Sequence, residues 1–156
     1  EDNAHFWFDL IGMAVYRAWP VLFPEIHMVA PLDPDCDLRA GPCTTALPGG
    51  QGTVTLSIKP RSIPVVQPLQ LQVDLVGLDA KQVQIDFSGV DMNMGFNRPS
   101  LEKQGDGHFH GHARLPVCVR DAIEWEARVL IQTDAGLVSA PYRFITVKPG
   151  RALPEN

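Results

Sequence analysis

From residue 53 to residue 147 the chain repeatedly alternates apolar and polar positions. That period of two marks a strand with one face on a core and the other toward solvent. Thr53–Lys59 reads Thr-Val-Thr-Leu-Ser-Ile-Lys, and Leu69–Val76 alternates more strictly, with Leu69, Leu71, Val73 and Leu75 in phase. Gln82–Phe87 repeats the pattern with Val83, Ile85 and Phe87. Trp125, Ala127, Val129 and Ile131 share one face of a strand over Trp125–Thr133, and Asp134-Ala135-Gly136 supplies a turn. Leu137–Val147 then closes the domain, with Tyr142, Phe144 and Ile145 available to the core, while Gly107–Leu115 reads as a more polar strand. Six or seven short strands with turn signals between them predict an all-β, immunoglobulin-like antiparallel β-sandwich over residues 52–148. Trp125 is the expected anchor of its core.

The first fifty residues have a different texture. Asp9–Trp19 predicts a helix of about three turns ended by Pro20. The wider stretch Phe6–Met28 is apolar and aromatic but is broken by Asp9, Arg17, Pro20, Pro24 and Glu25. A spanning helix needs about 20 predominantly apolar residues, so this stretch falls short of one. Residues 1–30 are expected to touch a membrane interface, dock on a partner, or pack on the domain itself. Residues 31–51 are rich in Pro, Gly, Asp and Thr and read as a linker, with the domain boundary near Gly49-Gly50; residues 149–156 form a tail. No basic stretch followed by an apolar one marks a secretory leader.

Composition changes the picture in two respects. The 156 residues are 45% hydrophobic and 20% charged, with a net charge of −5. Acids and bases are interspersed, which argues against a nucleic-acid surface. The second respect is cysteine: Cys36 and Cys43 flank a Gly41-Pro42 turn, and Cys118 stands alone. Their spacing does not suit a CxxC redox or zinc motif. A short-loop disulfide pinning the linker, in an oxidising compartment, is one reading of the pair; two unrelated thiols are the other. Cys118 is either a small buried hydrophobe or a soft metal ligand.

Candidate chemistry concentrates between positions 92 and 118. Met92, Met94, His108, His110 and His112 fall close together, with Cys118 following. On strands, Met92 and Met94 would point one way, and His108, His110 and His112 would share one face. Thioethers suit Cu(I), and imidazoles suit Cu(I), Cu(II) and zinc, so a mixed set points to copper, Cu(I) foremost. The plain alternatives are a Met-x-Met pair that fills the core and histidines that stand idle on a solvent-facing strand. No Gly-x-Ser-x-Gly elbow, His-Glu-x-x-His helix or dinucleotide fingerprint is present, so no enzyme is expected.

The order Met92-x-Met94-Gly95, then Gly107-x-Phe109-x-Gly111-x-Ala113-x-Leu115-Pro116-x-Cys118, then Trp125 and a final hairpin, resembles the FixH/YtkA-like group. These are bacterial membrane-anchored β-sandwich domains of the periplasm or cell exterior. The resemblance covers roughly residues 53–147, and Met92 and Met94 match its pattern best. The pattern does not demand the three histidines, and a clean N-terminal membrane helix is missing. The resemblance implies copper handling or assembly of a haem-copper oxidase on the periplasmic or extracellular face of an inner membrane. The client would be a cuproprotein such as a respiratory oxidase. A metal-free structural or assembly subunit of a membrane complex is the alternative role.

Overall fold

The computed structural model describes residues 3–22 and 26–154. One helix, α1 (Asn3–Leu22), precedes nine strands: β1 (Ile26–Val29), β2 (Cys43–Ala46), β3 (Thr53–Lys59), β4 (Leu69–Val76), β5 (Gln82–Gly89), β6 (Ser100–Gly105), β7 (His108–Ala113), β8 (Ala122–Thr133) and β9 (Gly136–Val147). The class is all-β. The strands join in one hydrogen-bonded order, β1-β9-β8-β5-β6-β7-β4-β3-β2, antiparallel except where β1 runs parallel to β9.

The continuity depends on β6. Its Ser100 and Leu101 pair with Gln84 and Val83 of β5, whereas Glu102–Gly105 pair with β7. The strand thus leaves one flank of the sheet and enters the other. Within the all-β class that the sequence predicts, the nine strands form one continuous sheet curled over one apolar interior. Tyr142 of β9 shows the curl directly, because its hydroxyl donates to the Val54 carbonyl of β3 at 2.8 Å, joining strands far apart in the sheet order.

The alternation seen in the sequence fills that interior. Val54, Leu56 and Ile58 of β3, Leu69, Leu71, Val73 and Leu75 of β4, Val83, Ile85 and Phe87 of β5, and Trp125, Ala127, Val129 and Ile131 of β8 are all buried. Trp125 is 1% exposed, and its indole N–H donates to the Thr146 hydroxyl at 2.9 Å, so its polar atom is satisfied inside the core. In β9, Tyr142 and Phe144 face inward as expected, but Ile145 does not. Thr146 takes the buried position in phase with them, and Ile145 lies half-buried on the opposite face. Pro141 is tolerated within β9 because the parallel pairing with β1 stops at Ser139, so no partner there needs its missing N–H.

Three expectations about the first fifty residues need correction. The helix runs from Asn3 to Leu22, longer than Asp9–Trp19, and it passes through Pro20. Pro20 stands two residues from the helix end, so the single backbone hydrogen bond that its missing N–H removes lies in the last turn. Residues 31–51 are not a detached linker, since β2 pairs with β3 from Cys43↔Leu56 to Ala46↔Thr53 and Leu38, Cys43 and Leu47 are core residues. Gly49-Gly50 belongs to the short turn Pro48–Gly50 that leads from β2 into β3 and marks no boundary. The Cys36–Cys43 disulfide is formed, and it ties the segment before β2 to the sheet edge. Disulfides persist in oxidising compartments, and this one points to such a setting.

Helix α1 differs from everything else. Phe6, Trp7, Phe8, Leu10, Ile11, Met13, Val15 and Tyr16 are all exposed, from 44% at Leu10 to 81% at Tyr16. No helix among the described residues is long and apolar enough to cross a membrane.

If Trp125 anchors the core through both volume and its hydrogen bond, Trp125→Phe should lower stability by roughly 1–3 kcal/mol. Urea unfolding should show an earlier midpoint at unchanged slope; an unchanged midpoint would remove Trp125 from that role.

Candidate metal-binding residues

The histidines owe their placement to a tight hairpin. Gly105 pairs with His108, leaving Asp106-Gly107 as a two-residue turn of the kind that joins β6 to β7. Gly107 has φ +74°, and a Cβ there would lie 2.4 Å from the Leu75 carbonyl oxygen. Its own carbonyl accepts from the Leu75 N–H at 2.7 Å, which seats the start of β7 against β4. From that start, side chains alternate: Phe109 and Ala113 go to the core, and His108, His110 and His112 stand exposed on the outer face.

The pairing brings polar neighbours to that row. Across the β4–β7 ladder, Asp74 faces His108, Gln72 faces His110 and Gln70 faces His112. On the other side Glu102 of β6 faces His110. The Asp74 carboxylate lies 2.6 Å from His108 Nδ1, and Gln72 Nε2 donates to both Asp74 oxygens at 3.2 and 3.0 Å. Gln72, Asp74 and His108 therefore form a connected chain on the open face.

The sulfur donors sit elsewhere. Met92 and Met94 belong to the loop between β5 and β6 and not to a strand, which corrects the expectation that they share a strand face. The loop is held down by Val90 N–H to Glu124 O at 3.0 Å and by Phe87 N–H to Asn97 O at 2.9 Å. Asn97 Nδ2 donates to Arg114 O at 3.0 Å, tying this loop to the one after β7 that carries Cys118. As a result the Met92 thioether sulfur lies 3.6 Å from Cys118 Sγ. Met94 turns toward Gly89, where a Cβ would sit 3.0 Å from Met94 Cγ and 2.4 Å from the Met92 carbonyl oxygen. Both methionines and Cys118 are half-buried, and Met94 and Cys118 pack against the core. Cys118 is a free thiol beside a shallow recess lined by Val65, Pro116, Val117 and Ile123.

The six residues singled out in the sequence are thus divided. Met92 meets Cys118 and Met94 lies in the same loop, whereas His108, His110 and His112 stand on the solvent side of β7, opposite the face that covers the core. Among the described residues no three His, Cys, Asp or Glu side chains gather around one point. Sequence reasoning missed Asp74, Gln72 and Glu102, which become neighbours of the histidines only through strand register. The Asp106-Gly107 pair was the one local signal for the β6–β7 hairpin.

No protein-family model matches the chain, and no curated protein matches it. A solved structure of a DUF4785 family protein from Legionella pneumophila is similar at a TM-score of 0.44 and 12% identity; the match covers 64% of this chain. The chain spans 30% of the length of that structure.

Proposed function

We propose that this chain is an extracytoplasmic copper-handling accessory protein, which holds Cu(I) on exchangeable sulfur ligands and turns over no substrate. The observation that carries the reading is the 3.6 Å approach of Cys118 Sγ to Met92 Sδ at a half-buried position. A thiol and a thioether form a soft pair suited to Cu(I), whereas structural zinc asks for four ligands. Metal–sulfur bonds of about 2.3 Å require the two sulfurs to open slightly around an ion. Both belong to loops, which can move without disturbing strand pairing. Met94, two residues along the same loop, is placed to supply a third soft donor.

Two further points support it. The Cys36–Cys43 disulfide requires an oxidising compartment, where a periplasmic or extracellular copper carrier would work. The order of Met92, Met94, Cys118 and Trp125 resembles the FixH/YtkA-like group, whose role lies near copper and haem-copper oxidases. The client on this reading is a cuproprotein on the outer face of an inner membrane. A Cu(I) competition titration of the full chain should give one equivalent bound. The Met92→Leu/Cys118→Ser variant should bind more than about 100-fold more weakly, roughly 3 kcal/mol. Equal affinity in the two proteins would defeat the reading.

A second role is favoured by one specific observation, the exposed apolar surface of α1. As a metal-free structural or assembly subunit, the chain would use that helix to dock on a membrane complex. Deleting residues 1–22 spares β1 and the whole sheet. The truncated protein should then fold normally and leave the membrane fraction of its native host. If it still co-fractionates with membranes as the full chain does, α1 is not the attachment.

A further inference from the structure

The geometry points to a lipid-docking tip at one end of the curled sheet: Phe96 and Val119 enter an anionic bilayer surface while Arg98 and Arg120 meet its headgroup phosphates. The tip uses neither sulfur of the proposed Cu(I) pair and no residue of α1, so it stands or falls apart from both readings above.

Strand register brings the tip together. β3 leads into β4 through residues 60–68, β5 into β6 through 90–99, and β7 into β8 through 114–121, and antiparallel pairing places all three connections at one end. Hydrogen bonds tie the loops to one another: Val66 N–H donates to Leu115 O at 2.7 Å, and Asn97 Nδ2 to Arg114 O at 3.0 Å. Phe96 is 82% and Val119 87% exposed, and Val66 and Val117 on the same loops are exposed as well. Val66 has φ +65°, a left-handed conformation that a β-branched residue adopts only under constraint. Its bond to Leu115 and the Arg114 Nη1 bond to its carbonyl at 3.3 Å supply that constraint.

Each exposed apolar side chain has an arginine at hand. The Arg98 guanidinium carbon lies 5.3 Å from the Phe96 ring centroid, and its Nη2 reaches Asp86 at 3.3 Å. Arg120 follows Val119 in the chain, Arg114 holds Val66, and Lys148 and Arg151 follow β9 at the same end. The acids of these loops are Asp91 and Asp121, and Arg151 Nε meets Asp121 at 3.6 Å. Asp33, Asp35 and Asp37 belong to the segment before β2, at the sheet edge. This excess of cations occurs in a chain whose net charge is −5.

A protein partner would anchor its central side chains in well-packed pockets. Here the apolar side chains stand on separate loops, and the recess beside Cys118 is shallow. Such groups fit a bilayer surface, where apolar atoms enter the acyl boundary and cations stay at the phosphates. Anionic lipid complements the tip and repels the acidic remainder of the chain, which fixes the end that turns toward it. The contact is reversible, because stable anchoring takes more than one such signal.

The full chain should co-sediment more tightly with vesicles of phosphatidylglycerol and phosphatidylcholine in equal parts than with phosphatidylcholine alone, against the sign of its net charge. Added salt should remove the difference. Any contact made by the apolar surface of α1 is common to both vesicles, so the difference between them is the readout. Arg98→Gln/Arg120→Gln should lower partition onto the anionic vesicles by about 10–30-fold. Phe96→Ser/Val119→Ser should lower it by about 10-fold, and all four substitutions are exposed and leave the core untouched. Lys81→Gln/Lys103→Gln, an equal loss of charge away from the tip, should bind as the wild type does. Met92→Leu/Cys118→Ser should do the same, so loss of Cu(I) binding there would leave the tip standing. The proposal is overturned if the wild type binds both vesicles alike, if either tip variant binds the anionic vesicles as tightly as the wild type, or if the lysine variant loses as much. Binding of soluble polyglutamate through Arg98 and Arg120, without the vesicle preference, would give the surface to an acidic protein and overturn the lipid assignment too.

Discussion

A β-strand sends successive side chains to opposite faces, and on β7 that rule decides where chemistry can occur. Phe109 and Ala113 must reach the core, so His108, His110 and His112 must face solvent. β4 obeys the same rule in register: with Leu71, Val73 and Leu75 inward, Gln72 and Asp74 are held against the histidine row. Slipping β7 by one residue would bury its three imidazoles and expose Phe109 and Ala113, and slipping β4 would bury Gln72 and Asp74. The hydrophobic core therefore holds the Asp74–His108 contact in place as firmly as any local interaction does.

The same sheet keeps two kinds of donor apart. Sulfur gathers at the loops that follow β5 and β7, where Asn97 ties one loop to the other and brings Met92 to Cys118. Imidazole gathers on the outer face. In an oxidising compartment that division has a chemical consequence. Thiol and thioether are soft donors and imidazole a borderline one, so the two regions differ in donor character. One small domain can thus offer two environments without mixing them.

Much of the core was legible in the sequence because alternation reports burial directly: every inward position named on β3, β4, β5 and β8 is buried. What escaped was pairing. β6 has only Leu101 inward among polar neighbours, so its periodicity is faint, and β2 is a four-residue edge strand that shares its Thr and Ala with the composition of a loop. Those two omissions hid the curl of the sheet and made residues 31–51 look detached. The site was legible in part. Three histidines on one face follow from spacing alone, but Asp74 is 34 positions from His108 and Glu102 eight from His110, and no spacing rule connects them. The idea of one mixed methionine–histidine site failed because Met92 and Met94 lie on a loop, where the strand rule does not apply.

X-ray absorption at the copper edge, on the full chain loaded with one equivalent of Cu(I), bears most directly on the separation of sulfur from imidazole. A first shell of sulfur alone is the predicted result. Imidazole scattering in that shell would contradict it, because the sheet as folded keeps the histidines of β7 on the opposite side from Met94 and Cys118.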